Sequence, residues 1–300
     1  MSTQRPFRFG VVAHQVRSAK DWIAKARRAE ALGFSTFLSV DTVGMTPAPM
    51  PALAVAAAAT HTLRVGTLVL ANDFRNPVLL ARECATLDLL SDGRFELGLG
   101  AGRPTAEDDY RKLGISLDPG GVRVERLAES LGIVKALLGG ERVSASGRHY
   151  AVTDAEVFPR PVQQPRPPIL VAGAGQRLLS LGAREADIVA VAGPPDESES
   201  VVKGKVDWVR EAARDRFDQL ELSVQLMAVG QEMHPQMLAR FGLDPAQLKQ
   251  STSPFFLMGT PDQMCDRLLA RRERLGISYV TAPEAFLEPL VAVVDRLAGR

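Results

Sequence analysis

The sequence contains few cysteines and almost no net charge. Only two of its 300 residues are cysteine, Cys84 and Cys265, and 36 basic residues offset 35 acidic ones to a formal net charge of +1. Disulfide frameworks and zinc sites need more cysteine or histidine at short, regular spacing. A net charge this close to zero gives no general electrostatic attraction to nucleic acid or to a membrane surface. We therefore expect two buried free thiols, no metal site, and neither nucleic acid nor membrane as a partner.

Long apolar segments are also absent. The first ten residues, MSTQRPFRFG, lack the apolar stretch of a secretory signal, and the run ALAVAAAAT that begins at Ala52 is too short to span a bilayer. The hydrophobic content of 46% is nevertheless ample for one large core in a chain of this length. These observations predict a cytoplasmic protein whose residues 1–300 form a single domain.

The signatures of nucleophilic hydrolysis are missing as well. The sequence has no GxSxG motif, and no serine or cysteine stands with histidine in a recognisable catalytic pattern. His61, His149 and His234 lie on predicted connections and show no metal-ligand spacing. Hydrolysis is therefore not favoured.

One stretch, residues 63–103, organises the chain. An apolar run at residues 63–70 precedes a helical pattern at 77–90, and a second apolar run at 95–99 ends among glycines. The apolar runs show no alternation, which is typical of strands buried on both faces in a parallel sheet. Polar residues and glycines follow both runs, at the strand ends where ligands bind in parallel α/β folds.

The same strand–helix alternation continues along the whole chain. Because successive βα units cross over with one hand, eight such units predict a (β/α)8 TIM barrel, with a doubly wound open sheet as the structural alternative. Two stretches interrupt the alternation, near residues 139–168 and 231–258. The first is rich in proline and predicts a hairpin followed by an extended segment. The second predicts short helical pieces around Met237 and Ala246. The predicted strands are residues 7–14, 36–40, 63–70, 95–99, 169–172, 188–192, 220–229 and 278–281.

Polar residues at the predicted strand ends are the candidates for chemistry. His14 follows the first strand, Asp41 the second, and Asn72 with Asp73 the third. Each has an ordinary structural explanation, since a lone histidine often only donates a hydrogen bond and an aspartate often caps a loop. Their convergence on one edge of the sheet favours a binding or catalytic site.

Two glycine motifs suggest where a ligand approaches the backbone. Gly100, Ala101 and Gly102 end the fourth strand, where close ligand approach and a tight turn are equally compatible with the spacing. Gly173-Ala174-Gly175 stands between a strand and a helix, and is followed by Gln176 and Arg177. Helix N-termini bind anions through free N–H groups, so this motif favours a phosphate site over an ordinary helix start.

Four segments give the chain a resemblance to a known family. They are NPVLLARECATLDLLSDGRFELGLGAG (76–102), EVFPRPVQQPRPPILVAGAG (156–175), AREADIV (183–189) and GTPDQMCDRLLARRERLGISYVT (259–281). The sequence resembles the luciferase-like monooxygenase superfamily, in the branch of oxidoreductases that depend on the deazaflavin coenzyme F420. The resemblance covers nearly the whole chain and implies a (β/α)8 barrel with insertions.

The resemblance also implies positions for the cofactor. Family members support the ring on a bulge that contains a non-prolyl cis peptide. The bulge would fall at Thr67-Leu68-Val69, and the cis bond would join Leu68 and Val69. Gly100, Ala101 and Gly102 would lie beside the ring or its side chain. Asn72 and Arg103 are further candidates for cofactor binding, with Arg103 lining the path of the anionic F420 tail. Residues Gly173, Ala174, Gly175, Gln176 and Arg177 would bind the phosphate. The family further implies a homodimer formed through helices between the second and fourth strands.

Two departures from the family pattern bear on the chemistry. Relatives often carry Asp-His after the second strand, where this chain has Asp41-Thr42, and sugar-phosphate dehydrogenases have glutamate where Arg103 stands. The resemblance thus disfavours glucose-6-phosphate as substrate and leaves His14 as the substitute proton carrier, with Asp41 beside it. We expect F420-dependent hydride transfer to or from an unknown small organic substrate. The alternatives are an FMN-dependent monooxygenase and a non-catalytic flavin- or deazaflavin-binding protein.

Overall fold

A computed structural model of the protein describes residues 5–103, 105–230 and 251–300. The helical pieces predicted around Met237 and Ala246, and most of the predicted insertion at 231–258, lie outside these residues. No helix within the described ranges is both long and apolar enough to cross a membrane.

Thirteen strands are defined in the described chain. They are β1 (Arg8–Ala13), β2 (Thr36–Ser39), β3 (Arg64–Thr67), β4 (Leu70–Ala71), β5 (Phe95–Gly100), β6 (Val143–Ser146), β7 (Ala151–Ala155), β8 (Ile169–Gly173), β9 (Ile188–Val191), β10 (Glu221–Gln225), β11 (Ala228–Gly230), β12 (Phe256–Met258) and β13 (Ile277–Pro283).

Helices alternate with these strands, as predicted. In the described chain they are α1 (Ala19–Ala31), α2 (Pro49–Ala58), α3 (Pro77–Leu90), α4 (Glu107–Leu113), α5 (Gly120–Leu138), α6 (Gln176–Glu185), α7 (Glu199–Ala213), α8 (Pro261–Leu275) and α9 (Leu287–Leu297). Short 3-10 helices cover Asn72–Phe74, Arg214–Gln219 and Glu284–Phe286.

The main sheet closes on itself. Its strand order is β3-β2-β1-β13-β10-β9-β8-β5-β4, and β3 also pairs with β5. An open sheet has no pairing that returns to its first strand, so the doubly wound alternative is wrong. With β3 and β4 counted as two parts of one strand, the fold is the predicted (β/α)8 barrel of eight parallel strands.

Three elements differ from the prediction. The third strand breaks after Thr67 and resumes at Leu70, with a cis peptide bond between Leu68 and Val69 as the resemblance implied. The seventh ends at Gln225, because the chain then changes partner and β11 pairs with β12. Helix α4 was not predicted, since its sequence EDDYRKL is almost entirely polar and has no apolar period.

The chain comprises two compact units, each with its own core. One contains residues 1–13, 28–36 and 173–300, and the other contains residues 14–27 and 37–172. In the first unit, α6 and α7 pack over β9 and β10 through aliphatic side chains such as Leu179, Val206 and Leu222. In the second unit, α3 packs on α5, and Trp22 meets Phe37 edge to face with ring centroids 5.1 Å apart. The assignment of residues 1–300 to one domain stays a prediction.

The proline-rich insertion of the second unit forms the predicted hairpin, whereas the segment that follows bends at residues 158–159 and 162–165 instead of running extended. Strands β6 and β7 pair antiparallel. Beyond them, the buried carboxylate of Asp88 accepts the backbone N–H groups of Val162 and Gln163 and the side-chain amide of Gln163. These bonds satisfy backbone N–H groups in a segment that pairs with no strand of the described chain.

The packing of β5 against the broken strand predicts a specific effect of substitution. An added Cβ at Gly98 would lie 1.9 Å from the backbone oxygen of Thr67, whereas Gly132, on the exposed face of α5, has nothing within 4 Å. We expect Gly98→Ala to lower the free energy of unfolding by about 1–3 kcal/mol or more. Gly132→Ala should raise it by up to about 1 kcal/mol, because alanine is the better helix former.

Chemical denaturation of both variants measures the difference. Equal stability of the Gly98→Ala and wild-type proteins would contradict the close approach of these two strands.

Candidate functional site

The carboxyl ends of three neighbouring strands of the second unit form the candidate site. β3 pairs with both β2 and β5, and β4 continues alongside β5. Asp41 follows β2, Asn72 follows β4, and Gly100 ends β5. The structure thus brings these three predicted residues to one edge of the sheet, where parallel strands present ligand sites.

The break between β3 and β4 presents side chains that the rest of the strand buries. Leu68 and Val69 are partly exposed, while their neighbours Thr67 and Leu70 are buried. The Thr67 hydroxyl accepts the N–H of Gly98 at 2.8 Å and donates to its carbonyl oxygen at 2.9 Å, which fixes the break against β5. The site therefore has a rigid, partly apolar floor at Leu68–Val69.

Glycines behind this floor are required by space. An added Cβ at Gly100 would lie 2.7 Å from Cγ2 of Val69, so a larger residue in β5 would push the floor outward. At Gly100 the nearest group is therefore a side chain of the protein itself, Cγ2 of Val69.

Asp41 is held in a network of its own. Its carboxylate forms an ion pair with both terminal nitrogens of Arg75 and accepts the backbone N–H of Ala71 at 3.2 Å. Only 9% of the Asp41 side chain is exposed. These contacts position the end of β4, and the catalytic role proposed for Asp41 stays a prediction.

Asn72 is a deeply buried polar residue at this edge. Its residue exposure is 1%, and its Nδ2 donates to the Tyr150 hydroxyl at 3.1 Å. Its Oδ1 is buried and accepts no hydrogen bond from any group within the described ranges. A buried acceptor without a donor costs free energy, so this atom fits a ligand that brings an N–H or O–H group.

The loop after β5 is fixed by side chains from α4 and α5. Arg123 of α5 donates to the carbonyl oxygens of Ala101 at 2.8 Å and Gly102 at 2.6 Å. Gly102 has a φ of +75°, and an added Cβ would lie 2.4 Å from the Tyr110 hydroxyl. Glycine is required here for both reasons.

A charged cluster lies behind the same loop. Asp73 accepts the Tyr110 hydroxyl at 3.0 Å and the Arg126 guanidinium at 2.9 Å, and Arg126 also pairs with Asp118. Burial, together with the negative charge of Asp73, raises the pKa of Tyr110 to about 12. Tyr110 therefore stays protonated at neutral pH and donates its proton to Asp73.

Arg103 lies at the outer margin of the site. Its side chain is 56% exposed and contacts the Asp109 carboxylate at 3.1 Å and the Thr42 hydroxyl at 3.4 Å. The residue that replaces the family's glutamate is thus within reach of the residue that replaces the family's histidine.

The predicted phosphate motif belongs to the first of the two units, and His14 belongs to the second. Gly173 ends β8, Gly175 caps α6 without a side-chain hydrogen bond, and Ala174 to Arg177 are exposed. The N-terminus of a ten-residue helix suits an anion, because its first N–H groups point away from the helix. His14 follows β1 and is partly exposed. The roles assigned to these residues stay predictions.

Sequence reasoning missed several side chains that shape the site. Tyr110, Arg123, Arg126 and Tyr150 contact residues that lie far away along the chain, such as Asn72, which is 78 positions before Tyr150. None of them belongs to a motif or follows a barrel strand, so no local pattern could have identified them.

The chain matches a family model and several known proteins. The model described as luciferase-like monooxygenase matches residues 4–241. A glucose-6-phosphate dehydrogenase of Beutenbergia cavernae, named as F420-dependent, is 34% identical over 176 residues, which cover 56% of this chain and 51% of that protein. A protein of the same name from Nakamurella multipartita is 30% identical over 236 residues, covering 75% of this chain and 68% of that protein. The chain thus spans only about half of the first relative's length.

Similarity to a solved structure extends over the full length of the described fold. The coenzyme F420-dependent tetrahydromethanopterin reductase of Methanopyrus kandleri superposes with a TM-score of 0.77 at 18% identity, covering 99% of each chain. At this identity the likeness concerns the fold alone. The family match over residues 4–241 shows that this chain belongs to the luciferase-like monooxygenase family.

Proposed function

We propose that the protein is an oxidoreductase that transfers a hydride between coenzyme F420 and a small organic substrate. One observation carries the proposal, namely the partly exposed Leu68–Val69 floor together with the unsatisfied Oδ1 of Asn72, which follows β4 on the same broken strand. A flat ring with a polar edge suits such a floor, because the apolar face covers Leu68 and Val69 while an N–H group reaches Asn72. The names of the two F420-dependent relatives support the deazaflavin over other ring cofactors.

The residues around this floor fit the group they would hold. Leu68 and Val69 would support the ring, Asn72 would accept an N–H group, and the loop Gly100–Gly102 would flank it, held in place by Arg123. When bound, the coenzyme supplies the two-electron redox chemistry. The protein's part is to orient the ring and to exclude water from one of its faces.

We further propose that the substrate differs from that of the glucose-6-phosphate dehydrogenases among the relatives. Arg103 stands where such enzymes carry glutamate, and its guanidinium is paired with Asp109. A guanidinium group only donates hydrogen bonds, so this residue cannot replace the carboxylate of those enzymes.

The choice between F420 and FMN can be measured directly. F420 carries an anionic tail beyond its phosphate diester, so exposed cations along the tail should contribute to its affinity. We expect F420 to bind more tightly than FMN in parallel fluorescence titrations, with an affinity that falls as salt is added. Arg103→Ala should weaken F420 binding by up to about fivefold, since exposed contacts are worth about 0–1 kcal/mol.

Arg111→Ala is the matched control, because Arg111 is also exposed, at 75%, and also pairs with an aspartate of α4, Asp108. Tighter binding of FMN than of F420 would contradict the proposal and favour an FMN-dependent monooxygenase. Binding of neither would reject both.

The phosphate role of the Gly173–Arg177 motif can be tested at Gly175. An added Cβ there meets nothing within 4 Å, so Gly175→Ala should leave the fold and the affinity for F420 unchanged. Gly175→Asp places a carboxylate at the N-cap of α6, which stabilises helices but repels a phosphate. We expect about tenfold or greater loss of F420 affinity, with thermal stability preserved. Equal affinity of the two variants would reject the assignment.

A homodimer formed through α2 and α3 stays a prediction. The small residues Ala54, Ala57 and Ala58 of α2 would let two helices approach closely. Ala57 is buried within its own chain, whereas Ala58 is exposed and Ala54 partly so. Both helices also expose large apolar side chains, including Val55 at 42% and Leu79 at 57%. Such side chains on neighbouring helices favour an interface.

We expect sedimentation equilibrium to report a dimer at micromolar concentration and Leu79→Arg to shift it to a monomer. Leu113→Arg on α4, where Leu113 is 43% exposed, is the control that should remain dimeric. A monomeric wild-type protein would contradict the prediction.

A further inference from the structure

The hairpin β6–β7 carries a tyrosine whose position is fixed at the backbone. Glu129 of α5 accepts the backbone N–H groups of Arg148 at 3.0 Å, His149 at 2.9 Å and Tyr150 at 3.2 Å. An added Cβ at Gly147 would lie 2.3 Å from the same carboxylate, so the turn and the helix are in close contact. Although burial opposes it, these three bonds lower the pKa of Glu129, which therefore remains an acceptor at neutral pH.

The hydroxyl of this tyrosine reaches the candidate site. The Tyr150 oxygen accepts a hydrogen bond from Nδ2 of Asn72 at 3.1 Å, and Tyr150 is half-buried. Because Asn72 is the donor, the phenolic proton is not used in this bond. Among the described residues the Tyr150 hydroxyl forms no hydrogen bond other than the one from Asn72, so its proton is available to a ligand.

Burial keeps the phenol protonated. Desolvation raises the pKa of Tyr150 above the ordinary tyrosine value of 10.0, against the smaller opposite effect of the Asn72 hydrogen bond. The group is therefore a proton donor, not a proton acceptor, throughout the neutral range.

The other acidic groups that follow β2, β4 and β5 are committed elsewhere. Asp41 pairs with Arg75, Asp73 with Arg126, and the Tyr110 hydroxyl donates to Asp73. Each is held by a partner that it would have to release before it could exchange a proton with a ligand. Tyr150 needs no such rearrangement.

We propose that Tyr150 is a catalytic residue that donates its phenolic proton to the oxygen of a carbonyl substrate. The proposal rests on the function proposed above and gives it a direction, the reduction of a ketone or aldehyde to an alcohol. The phenolic O–H bond breaks and a new O–H bond forms on the substrate oxygen as the C=O π bond opens. The carbonyl carbon gains the hydride that the reduced deazaflavin supplies, and the phenolate recovers a proton from water.

The protein contains only three tyrosines, Tyr110, Tyr150 and Tyr279, so each phenol can be observed separately. Carbon-13 labelled at Cζ of tyrosine gives three resonances, which Tyr→Phe variants assign. With F420 bound, addition of acetone, cyclohexanone or benzaldehyde should shift the Tyr150 resonance and leave that of Tyr279 in place. Tyr279 is fully buried against Arg8 and serves as the internal control.

Kinetics provide the second readout. Tyr150→Phe should retain F420 affinity within about twofold, and should reduce these carbonyl compounds about 10²–10⁴-fold more slowly, the usual contribution of a general acid. Tyr279→Phe should keep the wild-type rate. Replacement of Tyr150 by 3-fluorotyrosine, a stronger acid, should move the alkaline limb of the pH–rate profile towards neutrality, which a structural role would not do.

The outcomes separate the two proposals. Failure of F420 to bind the wild-type protein overturns the proposed function. If F420 binds, the role of Tyr150 is overturned when Tyr150→Phe reduces carbonyl compounds at the wild-type rate. It is overturned equally when no carbonyl compound in the panel shifts the Tyr150 resonance.

Discussion

The close approach of β5 to the broken strand β3–β4 is the constraint on which the candidate site depends. The Thr67 backbone lies so near Gly98 that a single added carbon would overlap its oxygen, and the Val69 side chain fills the space that a Cβ on Gly100 would occupy. Both hydrogen bonds of the Thr67 hydroxyl go to Gly98, so the approach is specific in register. A backbone held this tightly has little freedom to relax, and Leu68 and Val69 are presented in one arrangement.

The polar side chains around this floor fall into two groups. Some are paired with other residues of the protein, and others keep a donor or an acceptor without a partner in the described residues. Asp41, Asp73 and Arg123 are committed to Arg75, Arg126 and the glycine loop, respectively. They fix the strand ends that a ligand would contact. The Asn72 oxygen and the Tyr150 proton have no such partner within the described residues. The two side chains that carry them are already joined by the hydrogen bond from Nδ2 of Asn72 to the Tyr150 hydroxyl. An acceptor and a donor placed side by side suit a ligand that carries both.

The insertion contributes to this edge because a carboxylate anchors it. A two-stranded hairpin is marginally stable alone, and the bonds from three successive N–H groups to Glu129 tie its turn to α5. This anchoring allows a residue outside the barrel strands to enter the site with a defined geometry. The family pattern places a histidine after the second strand, where this chain has Thr42, so a donor supplied by the hairpin would compensate for its loss.

The sequence alone determined the alternation of strands and helices and the residues that end the strands. Periodicity and turn residues are local, so eight βα units could be counted and Asp41, Asn72 and the Gly100–Gly102 loop could be placed at strand ends. The resemblance added the Leu68–Val69 bulge, which periodicity did not show. Tertiary structure decided what those residues contact: Asp41 meets Arg75, Asn72 meets Tyr150, and the strand predicted at 220–229 changes partner after Gln225. These contacts join side chains that lie tens of residues apart, and no local pattern encodes which of them will meet, because packing of the whole barrel brings them together.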